Sequence, residues 1–398
     1  MGDQVAPMNP VDRSASESPR KNDASVGGTP DGGTVDGIAV VLAPGTFATD
    51  KAKTAHGLVR GTDRFRIVGV IDPSCAGRDA GEVLDGRRRD IPLFASLADA
   101  LLHAQPRPDT CIVGTALGGG MMSPQIRALL REAAEAGLHL VNGLHELASD
   151  DPQIAAAVTR HGRRIVDLRR PRPIKELRFW NGDIARVRAP RIAVLGTDCS
   201  LGKRTTARLL VAACRAAGLR AEMIYTGQTG WMQGGRYGFV LDATPNDFVA
   251  GELEGAVLKC DAEASPDVIV IEGQSALRNP SGPCGAELLL SAGARAAILQ
   301  HAPGRACFKG LAGWTIPALD EEIELVRLYG AEVIALALNG DGVTPEALAE
   351  EARRLEAKLA VPVVRPLAKD GGLEGLIPQV RRYLTAANAA SKPGRTPP

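Results

Sequence analysis

One run of residues constrains this chain more than any other: Arg191-Ile-Ala-Val-Leu-Gly-Thr-Asp-Cys-Ser-Leu-Gly-Lys-Arg-Thr-Thr206. Its apolar start, Ile192 to Leu195, reads as a buried strand. A loop bounded by Gly196 and Gly202 follows, and a helical period resumes from Lys203 to about Ala217, with Leu209, Leu210 and Ala213 on one face. A strand feeding a glycine-bounded loop that opens a helix is the setting a phosphate-binding loop requires. Backbone N–H groups point into the loop, the helix N-terminus adds partial positive charge, and a lysine reaches the outer phosphates. Gly202-Lys203 stands where that lysine belongs. The spacing departs from G-x-x-x-x-G-K-[ST] in two ways. Five residues, Thr197, Asp198, Cys199, Ser200 and Leu201, separate the two glycines, and Arg204 takes the position after the lysine. A magnesium-binding hydroxyl therefore has to come from Thr205 or Thr206.

Around this run the chain alternates short apolar stretches with helical periods. Before it, strands are predicted at Ile38–Ala43, Phe65–Ile71, Thr110–Val113, Leu138–Val141 and Arg164–Leu168, with helices at Ser96–Ala104, Pro124–Ala136 and Pro152–Arg160. Ser123 before Pro124 makes an N-cap and first-turn pair. After residue 190, strands fit Ile192–Gly196, Ala221–Tyr225, Val268–Glu272, Ala296–Gln300, Val333–Leu338 and Val361–Pro366, and a capped helix begins at Thr344-Pro345-Glu346. Such alternation implies parallel sheets covered on both faces. The fold class is α/β, a Rossmann-like domain at 37–170 followed by a P-loop domain with a mostly parallel sheet at 190–387. Arg169-Arg-Pro-Arg-Pro173 breaks both periodicities and places a linker at 171–189. Residues 1–36 and 388–398 lack apolar periodicity and read as disordered tails.

Composition narrows the functional classes. A net charge of +1 with scattered basic residues leaves no footprint for nucleic acid or an anionic membrane. No apolar run approaches the roughly 20 residues of a transmembrane helix, and no basic-then-apolar leader opens the chain. Seven dispersed cysteines without a C-x-x-C pair fit free thiols in a reducing cytoplasm. A homo-oligomer acting on a small molecule is the expected setting.

In sheets of this kind ligands bind beyond the carboxyl ends of the strands, so the residues delivered there are the site candidates. In the first sheet, Asp72 ends Val-Gly-Val-Ile-Asp and is either a ribose contact or a turn cap; the first loop lacks G-x-G-x-x-G, which argues against ordinary NAD binding. Gly114–Gly120 is either a close-approach loop or a flexible turn. In the second sheet, Thr226-Gly-Gln-Thr-Gly-Trp-Met-Gln-Gly-Gly235 is a polar glycine-rich loop, placed either to fold over substrate with Gln228 or as a connector. Asp242 and Asp247 stand beyond it, each a candidate to hold a magnesium-bound water; for Asp247 the favoured reading is instead a cap on the next helix. Glu272 ends an apolar strand, the place for a carboxylate that organises magnesium beside nucleotide phosphates. His301 and Arg305 follow the next strand as proton carrier and carboxylate clamp. Asn339 ends the one after it.

The G-T-D-x-x-x-G-K spacing and Val270-Ile-Glu-Gly273 resemble dethiobiotin synthetase and its relatives. That resemblance implies an adenine contact for Asn339 and magnesium at Glu272 and Thr205. The longer run Gly196-Thr-Asp-Cys-Ser-Leu-Gly-Lys-Arg-Thr-Thr206 resembles a bacterial two-domain family with a G-T-D-C-x-x-G-K-x-T-T loop, as do Lys53-Thr-Ala and Gly69-Val-Ile-Asp72. Members of that family include D-glutamate N-acetyltransferases, so the resemblance implies acetyl transfer from acetyl-CoA to an acidic amino acid. The residues themselves say only nucleotide and phosphate. ATP or coenzyme A, with Mg2+, is the expected cofactor set. A carboxylate-activating ligase or kinase and a nucleotide-dependent switch remain the alternative functions.

Overall fold

In the computed structural model, which describes residues 37–116, 118–368 and 372–390, two parallel sheets follow one another along the chain. The first holds β1 (Gly37–Leu42), β2 (Phe65–Ile71), β3 (Leu93–Phe94), β4 (Thr110–Val113), β5 (His139–Asn142) and β6 (Ile165–Asp167) in the order β3-β2-β1-β4-β5-β6. This is the doubly wound order of a Rossmann sheet, with the switch point between β1 and β4. The second holds β7 (Arg191–Gly196), β8 (Ala221–Tyr225), β9 (Tyr237–Gly238), β10 (Val268–Glu272), β11 (Ala296–His301), β12 (Glu332–Leu338) and β13 (Val363–Val364), ordered β13-β12-β11-β7-β10-β8-β9. The phosphate-loop strand β7 therefore runs centrally, flanked by β10 and β11.

Each sheet has a separate apolar cluster on each face, as burial between two helical layers demands. Strands such as Ile192–Leu195 and Val268–Ile271 are apolar without alternation because neither face meets water. The helix Lys203–Ala216 turns Ala207, Leu210, Val211 and Cys214 onto the second sheet. Ser123 and Thr344 cap their helices through bonds from the N–H groups of Ile126 and Ala347.

Several expectations change. The helices Lys53–Arg60 and Ala80–Asp85 and the strand β3 have no counterpart in the sequence reading. Lys53–Arg60 is only eight residues long, carries Gly57 mid-helix and buries Thr54, Ala55, Gly57, Leu58 and Val59, too short an apolar run to stand out in the sequence. The last strand shrinks from Val361–Pro366 to two residues, since proline at 362 and 366 cannot donate to a ladder. The final helix, Ile377–Ala390, runs past the expected start of the C-terminal tail at Asn388; the rest of both tails lies outside the described residues.

The loop expected at Thr226–Gly235 is instead built around a short helix, Gln228–Met232, that ties the two sheets' domains together. Met232 is fully buried in the core of the first domain, and Trp231 packs against that core. Polar bonds surround the plug. Thr54 and Thr229 share a hydroxyl bond at 3.0 Å, Gln233 Nε2 donates to the carbonyls of Gly57 and Gly61, and Arg64 Nε donates to Trp231 O. No helix among the described residues is long and apolar enough to cross a membrane.

Candidate functional site

The loop after β7 turns on two left-handed residues, Ser200 (φ 54°) and Gly202 (φ 98°). Gly202 gives the helix its start with no side-chain penalty in that conformation. Lys203 then folds back under the loop. A Cβ at Gly196 or Gly273 would stand 3.1–3.2 Å from its Cδ, so those two glycines form the slot its stem occupies. Its Nζ donates to Asp198 O at 2.7 Å and Ser275 O at 2.6 Å, and only 5% of the residue is exposed. Burial pushes this ammonium down to about 8.

Asp198 is fully buried and saturated. It accepts from Cys199 N, Asn279 Nδ2, Arg305 Nη1 and Lys309 N at 2.7–2.9 Å. Arg305 also donates to Cys199 O and to Asp341. Its guanidinium is thus a brace that holds the phosphate loop, not the free carboxylate clamp the sequence suggested. Asn339 likewise spends its amide on the loop, with Nδ2 donating to Leu201 O at 2.8 Å and Oδ1 accepting from Asp341 N. Sequence reasoning missed this bracing because Asp198, Asn279, Arg305 and Asn339 come from four separate segments.

Thr197 is buried, and its Oγ1 lies 3.0 Å from Nδ1 of His301. Burial lowers the His301 pKa and keeps the ring neutral near pH 7. Thr206 donates to Gln300 Oε1 at 2.5 Å, which commits its hydroxyl to the sheet. Thr205 is half-exposed on the first turn, while Arg204 turns toward the first domain. Arg204 Nη2 approaches Lys53 O at 3.5 Å and would lie 2.8 Å from a Cβ at Gly57, and its Nε is buried without a partner.

Glu272, 4% exposed, accepts from Thr226 N at 3.1 Å. Burial raises its pKa, opposed first by the Arg204 charge. Lys53, at the N-terminus of the helix Lys53–Arg60, has no carboxylate within 4 Å among the described residues. Burial and then the Arg204 charge lower its pKa, although its side chain still reaches solvent. The phosphate loop therefore opens toward the first domain, where Lys53 and Arg204 meet it and Lys309 pairs with Asp50 at 2.6 Å.

Two candidates lie apart from the loop's bonds. Gln228 Oε1 accepts from Arg169, whose guanidinium also holds Asp242 and the carbonyl of Gly143. Gln228 is thus part of a domain tie. Asp247 is exposed in the first turn of the helix Asn246–Ala264, whose cap position is Pro245, so the expected capping role does not hold. In the first domain Asp72 accepts from Gly45 N, Phe47 N, Ser74 N and Ser74 Oγ, which makes it a turn cap. The Gly114–Gly120 loop is tied to the β1 loop by Ala116 N donating to Lys51 O, and Leu117 lies outside the described residues.

Two family models match the chain. One described as "Domain of unknown function (DUF1611_C) P-loop domain" spans residues 178–376, and one described as "Domain of unknown function (DUF1611_N) Rossmann-like domain" spans 73–171. The chain is 32% identical over 272 residues to a protein of Tritonibacter scottomollicae named D-glutamate N-acetyltransferase, covering 66% of this chain and 79% of that one. A protein of the same name from Pseudoalteromonas sp is 30% identical over 270 residues, covering 66% and 78%. The crystal structure of a DUF1611 family protein from Anabaena variabilis superposes with a TM-score of 0.79 at 28% identity, over 87% of this chain and 99% of the other.

Proposed function

We propose a function from one premise, that this chain belongs to the two-domain DUF1611 family, with a Rossmann-like domain followed by a P-loop domain. The protein is an N-acetyltransferase that moves an acetyl group from acetyl-CoA to D-glutamate or a similar acidic amino acid. The family relatives of that name support the reaction class. One structural observation carries the rest: a braced phosphate loop with a buried lysine faces Lys53 of the first domain, which has no carboxylate within 4 Å among the described residues.

The residues fit a diphosphate such as that of coenzyme A. The N–H groups at the start of the helix Lys203–Ala216, the Lys203 ammonium and the Thr205 hydroxyl would hold it. Bound there, acetyl-CoA supplies an activated thioester. Lys53 is placed to receive a carboxylate of the amino acid. In the transfer the substrate's neutral amine attacks the thioester carbonyl, a C–N bond forms, the C–S bond breaks, and the sulfur leaves as thiolate. His301, neutral and half-buried, takes the amine proton and returns it to the thiolate. The protein's share is orientation, charge and a proton relay.

The test is product analysis by mass spectrometry with acetyl-CoA and D-glutamate, with and without ATP, alongside a thiol assay for released coenzyme A. N-acetylglutamate formed at the same rate in both arms is the expected result. Product that needs ATP would replace this reading with an ATP-dependent one, and no product from any acidic amino acid would refute it.

A further inference from the structure

Resting on the reading of Lys203 as a phosphate ligand, we infer that this phosphate loop binds its anion without a divalent metal, with the Arg204 guanidinium supplying the charge that magnesium supplies elsewhere.

Four observations converge on it. First, in the G-K-[ST] pattern the hydroxyl on the metal belongs to the residue after the lysine, and here that residue is Arg204. Second, the next hydroxyls do not replace it well. Thr206 Oγ1 is bonded to Gln300 Oε1 at 2.5 Å inside the sheet, and Thr205, one helix position beyond Arg204, points about 100° further round the axis. Third, Glu272 is 4% exposed and accepts the Thr226 N–H, and Arg204 is the cation whose field most opposes its neutralisation. The Arg204 charge reaches this carboxylate through space, without a direct ion pair. Fourth, Arg204, in the first turn of the helix that the loop opens, has its Nε buried with no hydrogen-bond partner. Such a donor is costly unless something accepts from it in the working state.

Magnesium demands near-octahedral oxygen ligands and gives up its waters reluctantly. A guanidinium needs none of that. Its planar donors match phosphate oxygens two at a time, and its charge does not depend on pH in the physiological range. Lys203, Arg204 and Lys53 together bring three cations to the loop; of its two carboxylates Asp198 is already paired with Arg305, which leaves Glu272 against them, an excess suited to a diphosphate. A Cβ at Gly57 would stand 2.8 Å from Arg204 Nη2, so the absent side chain leaves room for the guanidinium in its present position. The magnesium expected at Thr205 and Glu272 from sequence therefore does not fit these residues.

Calorimetric titration with coenzyme A, in EDTA and in millimolar magnesium, tests this on the full chain. The wild-type dissociation constant should agree within twofold between the two conditions. Arg204→Thr, which restores the usual pattern, should lose tenfold or more in EDTA and recover part of that loss with magnesium. Arg204→Lys should remain metal-independent. Wild-type binding that weakens tenfold in EDTA, or Arg204→Thr binding as tightly as wild type without metal, overturns the inference. Should Arg204→Thr not fold, electron paramagnetic resonance of Mn2+ with wild type and saturating coenzyme A decides: one bound manganese per chain overturns the inference, and none supports it. Lys203→Met separates the two readings. Coenzyme A binding that survives in this variant removes the functional reading alone, and the same titrations with ATP then decide the metal question. If neither probe depends on Lys203, both readings fall.

Discussion

Replacing Lys203 by Met should make the protein more stable near neutral pH while removing its anion affinity. The lysine is 5% exposed, and burial takes its pKa from 10.5 to about 8. That difference corresponds to an electrostatic cost on the order of 3 kcal/mol for keeping the ammonium charged in the folded chain. The two carbonyl bonds, to Asp198 O and Ser275 O, offset part of it, at about 1 kcal/mol each. A net gain of roughly 1 kcal/mol for Lys203→Met at pH 7 follows. The sign with pH is fixed by proton binding. Between pH 8 and 10.5 the unfolded lysine holds its proton and the folded one has released it, so wild-type stability rises with pH through that window. The variant lacks this rise, so its advantage should vanish within about one pH unit above pH 8 and turn into a deficit of roughly 2 kcal/mol by the upper end. Urea unfolding of both proteins at pH 7, 8, 9 and 10 measures it. Parallel curves, with a constant difference across the window, would refute the assignment of a depressed buried ammonium. In the same variant coenzyme A affinity should fall by at least tenfold, since a charge-assisted bond contributes roughly 1.5–3 kcal/mol.

Met232→Ala removes a fully buried side chain from the first domain's core and should cost about 2–5 kcal/mol in chemical denaturation. A loss under 0.5 kcal/mol would mean that the helix Gln228–Met232 does not anchor the domains. Cys199→Ser should retain most acetyl transfer, because the Cys199 N–H and carbonyl, not the thiol, carry the bonds to Asp198 and Arg305. A stable acetyl adduct mapped to Cys199 by mass spectrometry, with activity lost in the serine variant, would overturn that expectation.

The sequence by itself determined the architecture, because burial on both faces leaves its mark on a single strand. Val268–Ile271 and Ile192–Leu195 are apolar at every position, and no partner strand need be known to read them. It also located the phosphate loop, whose glycines, lysine and helix start are contiguous and whose physics is local. Even the helix caps at Ser123 and Thr344 were legible, since the capping bond spans three residues. What the loop does with its neighbours was not legible. Asp198 and Cys199 are next to one another in sequence, yet Asp198 is saturated by Asn279, Arg305 and Lys309, which lie 81 to 111 residues away. No local pattern marks such a pairing, so Arg305 read as a substrate clamp and Asn339 as a base contact. The same holds for Gln228–Met232: a polar, glycine-rich stretch reads as a loop until the first domain offers Met232 a core to fill. Short-range geometry is written in the order of residues. The charge environment of Lys203, Arg204 and Glu272 arises only when two domains and three strands close around them, and tertiary structure alone decides it.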